Sequence, residues 1–492
     1  MQLPESPTRP EARSGLPPWA AADLPAPPRP VGLGWLGVVG PGVIVLGASI
    51  GSGEFLLGPA VFVRYGLTLL WVTGVAVWLQ TIFNTELMRY TVATGEPVFT
   101  GFMRTRPSST AWAWFYSLLY LLQAGWPAWA ANAAGAVFFL LARRLATPDD
   151  AAFVYYLGAA TFGVCVLVLL VGRRIERTLE LLNWVLVVCI FGTFIALAVV
   201  FVPAPLWTAA GAGLVGYDPA AGSFSFLPEG VDWVLLGAFV GYAGLGGITN
   251  VTLANWARDR GYGMGERAGY IPAAVGGKKV PLSHTGFMFE PTNENMARWR
   301  GWWRIVRADQ WGVFFVGGVL GMVLPALLYV TMLPAGTDIR GLAIAAELAF
   351  GIGARAGALM AGLVALLAAW ILLKTQLDQL EALVRSITDM LWAGSARVRA
   401  WRGGDVRAVY YGVLALAVAW ALVALRLNTP IALLQLGANI AAGAFVVTSL
   451  HLLYINTCLL PPALRPPMWR RGSLVFMAGF YGFFAAMSLG SL

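Results

Sequence analysis

The chain has little charge, almost no histidine and few cysteines. Only 12% of its 492 residues are Asp, Glu, Lys or Arg, against about a quarter in a soluble globular protein, which argues against a water-soluble enzyme. Its histidines, His284 and His451, and its cysteines, Cys165, Cys189 and Cys458, form no CxxC pair and no Cys/His cluster, so neither a disulfide framework nor a zinc site is expected. There is no phosphate-binding Gly-Lys-Ser/Thr loop, HExxH pair, nucleophile elbow or dinucleotide fingerprint. An ATP-driven pump and an enzyme are therefore not expected, and no cofactor is called for. The net charge of +9 is distributed between apolar runs rather than along one face, so the expected partner is membrane lipid and not nucleic acid.

Hydrophobic length is what the sequence has in abundance. Residues of apolar type make up 58% of the chain, and they gather into eleven runs at about 33–63, 67–93, 111–142, 153–172, 180–202, 231–256, 309–333, 356–378, 408–426, 430–458 and 472–490. The runs are continuous rather than alternating, which fits helices and not barrel strands. The fold class expected is an all-α polytopic membrane protein. Residues 1–30, rich in Pro and Ala and without an apolar leader core, read as a disordered cytoplasmic tail, and 31–492 as one transmembrane domain. Placing the N-terminus in the cytoplasm puts twenty-one Lys and Arg in the inner loops, Arg385 in the extension of span 8 not counted, and six in the outer ones. That is the positive-inside pattern of a multi-pass protein, here expected in the plasma (inner) membrane with the C-terminus outside. In the inner loop 257–308, Trp299, Trp302 and Trp303 alternate with Arg298, Arg300, Arg304 and Arg307, as in either an amphipathic segment at headgroup level or a plain basic loop.

Two runs contain helix-breaking sequence at mid-depth. The first holds Gly51-Ser52-Gly53-Glu54, and the sixth holds Gly244-Leu245-Gly246-Gly247 followed by Thr249 and Asn250. Glycine frees the backbone to unwind, and unwound backbone is tolerated in a bilayer only where a cavity or ligand satisfies it. The same glycines also suit close helix packing; the polar side chains beside them turn the reading toward a binding site. Breaks in the first and sixth helices are the pattern of an inverted five-plus-five repeat, here about 33–202 and 231–458, with 472–490 as an extra helix.

From Gly40-Pro41-Gly42 through the glycine motif to Leu69-Leu70-Trp71-Val72, Leu79-Gln80 and Val92-Ala93-Thr94-Gly95, the sequence resembles the Nramp (natural resistance-associated macrophage protein) metal-ion transporters, within the superfamily of the leucine-transporter-type fold. The resemblance implies that fold, with helices 1 and 6 broken around a central site. Departures fall on the site itself. Gly51 stands where the family has its metal-binding aspartate, Glu54 where it has an asparagine, and Leu245-Gly246-Gly247 where it has Met-Pro-His. Thioether and imidazole are both gone, and loss of the soft sulfur ligand removes the family's basis for choosing transition metals. Gln435 resembles a family glutamine beside the metal site, and Asn439 lies one turn further along the same face. Ile50-Gly51-Ser52-Gly53 also resembles an element of amino-acid and polyamine transporters, in which backbone N–H groups hold a carboxylate.

The function expected is secondary transport of a cation, a divalent metal such as magnesium, calcium or manganese, with protons as a coupling partner. Glu54 is the candidate metal ligand, and Gly51, Ser52, Gly53, Gly244, Leu245, Gly246, Gly247, Thr249, Asn250, Gln435 and Asn439 are candidate substrate contacts. The alternative is transport of an amino acid or other small organic solute. Gln123, Asn132, Asn84, Glu86 and Arg89 are polar residues in spans that suit either a water or proton route or interhelical hydrogen bonds. The series Lys374, Asp378, Glu381, Arg385 and Asp389, after about eighteen apolar residues, reads as a solvated extension of span 8. His451 is expected to be packed or hydrogen-bonded.

Overall fold

A computed structural model of the chain describes residues 15–171, 175–269, 283, 285–337, 339, 344–427 and 429–491; the side chains at positions 52, 171, 175–180 and 182 lie outside that description, as do His284, Arg173 and Arg174. Among the described residues, eleven helices are long and apolar enough to cross a membrane, which makes the chain an integral multi-pass protein. These are span 1 (Pro41–Tyr65), span 2 (Leu67–Thr94), span 3 (Ser109–Ala142), span 4 (Pro148–Leu170), span 5 (Asn183–Phe201), span 6 (Trp233–Asp259), span 7 (Asn293–Met332), span 8 (Ile344–Gly394), span 9 (Val406–Ala424), span 10 (Pro430–Cys458) and span 11 (Met468–Leu489).

Burial separates centre from periphery. Spans 1 and 6 are enclosed almost completely, while spans 4, 5 and 9 keep apolar outer faces such as Leu167, Val199 and Leu416. Those outer faces suit lipid. Span 1 packs on spans 5, 7 and 8; span 6 packs on spans 10 and 11; span 8 packs on spans 3, 4 and 9. The start of span 1 is capped from another helix, since both carboxylate oxygens of Asp309 accept from the Gly42 N–H, at 2.9 and 3.1 Å. A carboxylate there also complements the positive end of the helix dipole.

Span 1 does not unwind. It runs as α-helix over Pro41–Ser49, as π-helix over Ile50–Leu57 and as α-helix again over Gly58–Tyr65. The non-helical backbone expected at Gly51–Gly53 is thus replaced by a wider turn. Its i→i+5 hydrogen bonds satisfy backbone groups that unwinding would have orphaned. Span 6 does break: helix Trp233–Tyr242 stops, Gly244, Gly246 and Gly247 take φ of +110°, +92° and +53°, and a 3-10 turn over Gly247–Thr252 leads into helix Leu253–Asp259.

Three expectations about the basic side need correction. From Gly15 on, the N-terminal stretch is docked rather than free. Ala20–Ala21 pairs in parallel with Phe287–Met288, the Leu24 N–H donates to Asn295 Oδ1 at 3.2 Å, and Trp302 Nε1 donates to the Pro25 carbonyl at 2.9 Å. Second, the Trp/Arg segment forms helix Asn293–Arg307, which continues directly into span 7. Trp299 and Trp302 are buried against Phe289 and Tyr262, so the tryptophans serve the protein interior and not the headgroups. Third, the charged series of span 8 is buried throughout. Lys374 pairs with Asp378, Arg385 with Glu381 and with Asp259, and Arg258 with Asp389. Each acid has a base within reach, which makes burial tolerable.

Candidate functional site

The break in span 6 leaves carbonyls and N–H groups without helical partners, and side-chain amides from neighbouring spans take their place. Gln80 Nε2 of span 2 donates to the Ala243 carbonyl at 2.6 Å and to the Tyr481 hydroxyl at 2.8 Å. Gln123 of span 3 both accepts and donates. Its Oε1 receives the Ile248 N–H at 2.7 Å, while its Nε2 reaches the Gly246 carbonyl at 3.1 Å and Thr249 Oγ1 at 3.2 Å. Thr249 donates in turn to Gln379 Oε1 of span 8 at 3.3 Å, and Asn250 Nδ2 donates to Gln80 Oε1 at 3.2 Å and Asn84 Oδ1 at 3.0 Å. The glycines are required here. A Cβ on Gly244 would lie 2.3 Å from Gln80 Oε1, and one on Gly247 would lie 2.2 Å from Gln123 Oε1.

Glu54 faces this break from the π-helical turn of span 1. It is fully buried, and neither carboxylate oxygen has a hydrogen-bond partner. The Ser49 hydroxyl and the Gly244 backbone face it without completing a well-formed bond; Ser49 instead donates to the Leu46 carbonyl at 2.8 Å. Span 7 closes the remaining side, where a Cβ on Gly321 would lie 3.7 Å from Glu54 Cγ. The Met322 thioether packs against Gly58, four residues along from Glu54. Three further polar atoms of the cluster have no partner, Asn250 Oδ1, Asn84 Nδ2 and Gln379 Nε2. A buried polar atom without a partner costs about 1–3 kcal/mol, and a charged one more. Among the described residues no three His, Cys, Asp or Glu gather at a metal-binding spacing, so Glu54 is a lone carboxylate among oxygen donors.

The predicted residues divide as follows. Gly51 and Gly53 sit in the π turn as packing notches: a Cβ on Gly51 would be 2.1 Å from Thr375 Oγ1, and one on Gly53 would be 1.9 Å from the Tyr242 carbonyl oxygen. The Ser52 side chain lies outside the described residues, although its backbone belongs to the same turn. Gly244, Gly246 and Gly247 form the break, with buried Leu245 between them. Thr249 and Asn250 join it through the amides described above. Asn439 binds helices together: its Nδ2 donates to the carbonyls of Val234 and Gln435, and its Oδ1 accepts from Ser488. Gln435 is half-buried, and its carbonyl takes part in that contact.

Sequence reasoning gave Gln80 and Gln379 no role at the break and left Gln123 as one of several polar span residues. Their signal is that three glutamines recur inside apolar spans, where an amide must find a partner. Beside the break lies the buried cluster of span 8. Asn183 of span 5 packs into the notch at Gly47, Thr375 into that at Gly51, and the Lys374–Asp378 pair adjoins them. Toward the basic side, Thr252 Oγ1 contacts the Tyr120 hydroxyl at 2.6 Å and Ser386 Oγ at 2.8 Å, and Trp256 Nε1 donates to Glu381 at 3.0 Å. His451 is hydrogen-bonded as expected, to Tyr116 at 2.7 Å and Thr105 at 2.9 Å, and stacks on Phe102. Glu86, Arg89 and Arg470 form an ion-pair cluster with Asn456 at the basic end of span 2.

No family model matches the sequence, and no curated protein matches it. Solved structures do match in shape. A glutamate-to-alanine variant of the Eremococcus coleocola manganese transporter superposes with TM-score 0.64 at 16% identity, covering 95% of this chain and 90% of that one. A histidine-to-alanine variant of the same transporter gives 0.63 at 15% over the same shares. The transporter in complex with an aromatic bis-isothiourea substituted compound gives 0.60 at 15%, covering 96% and 91%. The fold of this chain is therefore the leucine-transporter-type fold expected from the sequence, with the first helix π-wound where a break was expected.

Proposed function

We propose that the chain is a secondary transporter related to the Nramp proteins, moving a cation by alternating access around the Glu54 site, with the N-terminus in the cytoplasm. The observation that carries this reading is the buried carboxylate of Glu54, partnerless and turned toward the broken backbone of span 6. An ionised carboxylate in that position is costly, and either a proton or a bound cation removes the cost. Exchange of one for the other at a single group couples cation movement to proton movement. The fold shared with a manganese transporter supports the reading, as does the asymmetry of basic loops for orientation.

Glu54 and the Ser49 hydroxyl beside it offer hard oxygen donors, which suit magnesium, calcium or manganese. One carboxylate balances only part of a divalent charge, so the ion retains water or enters as Glu54 releases its proton. The site is closed in this conformation: Glu54, Asn250 and Asn84 are fully buried and Thr249 is 1% exposed. Access requires spans 1 and 6 to separate from their neighbours.

Transport of an amino acid is the second reading. It is weakened by the helical first span, because N–H groups engaged in a π turn are not free to bind a carboxylate. Proteoliposome uptake of magnesium, calcium, manganese and several amino acids, with and without a pH gradient, tests the proposal. Saturable uptake of a divalent cation that responds to the gradient supports it; amino-acid uptake alone, or no gradient-dependent cation uptake, contradicts it.

A further inference from the structure

A groove at the basic end of spans 1 and 7 carries chemistry that the transport reading does not use. It has a volume of about 640 Å³ and runs between the N-terminal stretch and helix Asn293–Arg307, lined among others by Pro27, Arg29, Pro30, Trp35, Arg298 and Arg304. The Asp309–Gly42 contact sets the start of span 1 level with Asp309 of span 7, just beyond the groove. Arg304 precedes Asp309 by five residues, roughly 7.5 Å along a helix, and so lies on the basic side of the apolar stretch of span 7.

The groove is built on fixed parts. The Gly37 carbonyl accepts from Arg260 at 2.7 Å, and the Val38 carbonyl accepts from the Tyr262 hydroxyl, so the short helix Gly32–Gly37 is anchored at its end. That helix and the residue before it project apolar side chains outward: Val31 is 86% exposed, Leu33 84% and Leu36 49%. Arg29 and Arg304 are exposed and make no ion pair among the described residues, whereas Arg298 is held by Glu294 and by the Leu24 carbonyl. Free guanidinium groups, a half-buried tryptophan and projecting aliphatic side chains have one common complement.

We infer that this groove binds the headgroup of an anionic phospholipid in the leaflet facing the basic loops, with Arg29 and Arg304 on the phosphate and Val31, Leu33 and Leu36 among the acyl chains. Guanidinium pairs bind phosphate oxygens in fork geometry. Exposed leucine and valine at headgroup depth gain by leaving water, and anionic lipid supplies the charge that a zwitterionic lipid balances internally. Bound there, the lipid fastens the N-terminal stretch to the extension of span 7.

The test uses the full chain in nanodiscs and reads lipid retained through detergent exchange by mass spectrometry. Retention of phosphatidylglycerol over phosphatidylcholine is expected, falling about tenfold in R29Q/R304Q, as for loss of two charge-assisted contacts, and unchanged in R402Q, which removes an exposed arginine elsewhere. Weaker retention in L33S/L36S, with both arginines present, supports the acyl contribution. Equal retention of the two lipids, or undiminished phosphatidylglycerol in R29Q/R304Q, overturns the inference. So does displacement by millimolar inorganic phosphate or glycerol phosphate, which would make the groove a site for soluble phosphate.

Discussion

Gly53 of span 1 lies directly against the carbonyl of Tyr242, the last residue of the first half of span 6, so close that a Cβ would stand 1.9 Å from the oxygen. The contact joins the π turn that carries Glu54 to the edge of the helix break. Both partners at the contact are backbone, so the clash cannot be relieved by rotating a side chain. Gly53→Ala is expected to lower thermal stability in detergent strongly and to abolish uptake. Gly192→Ala is the control: nothing lies within 4 Å of a Cβ there, and replacing a helical glycine at an open position stabilises by about 0.4–1 kcal/mol.

Gln123 holds two orphaned backbone groups of the break, the Ile248 N–H and the Gly246 carbonyl. Gln123→Leu keeps bulk and removes the amide, so unfolding measurements should show a loss of about 1–3 kcal/mol for each group left bare. Asn439→Ala, at a half-buried interhelical contact, should cost about 1 kcal/mol and leave uptake in place.

Much of this architecture is legible in the sequence because the bilayer imposes length and loop charge imposes alternation. The break in span 6 was readable from Gly244, Gly246 and Gly247, whose positive φ values only glycine adopts readily. Gly51 and Gly53 look identical on the page yet serve approach to Thr375 and Tyr242 inside a continuous helix. Glycine content does not distinguish backbone that must turn from backbone that must be touched. The charges of span 8 were misplaced for a related reason. Counting apolar residues locates the end of a lipid-facing helix, but span 8 is wrapped by other spans there, and its partners Arg258 and Asp259 come from span 6, far away in sequence.

The Lys374–Asp378 pair is buried inside span 8. Lys374→Met strands a carboxylate and should destabilise by about 3–5 kcal/mol, whereas K374M/D378N should recover most of that loss. Denaturation of the single and double variants in detergent measures the difference.

Docking of the N-terminal stretch should resist acid. Burial pushes the Glu96 carboxyl up, but the adjoining Arg104 guanidinium and the hydrogen bonds around it outweigh that and hold it below its usual value. Glu96 accepts from the Gly286 N–H at 2.8 Å, next to the strand that pairs with Ala20–Ala21, and Arg104 donates to the Pro17 carbonyl at 2.9 Å. A lowered carboxyl contributes stability that is full above its unfolded pKa and is lost as pH falls through the folded value. A spin label at Ala20→Cys in a cysteine-free background should stay immobile at neutral pH and remain so as pH falls through about 4.3, the ordinary carboxylate value, loosening only in stronger acid. Glu96→Gln should mobilise it at every pH.

The most direct test of the central claim is uptake by the Glu54→Gln variant in proteoliposomes, beside the unaltered chain, across a series of pH values. The amide keeps the shape of the side chain and can neither ionise nor exchange a proton. The account predicts a folded variant with at least about tenfold slower cation uptake, equivalent to 1.4 kcal/mol or more, and no remaining pH dependence. Uptake at an unchanged rate with an unchanged pH profile would show that Glu54 only shapes the helix, and would contradict its role as the coupled cation and proton site.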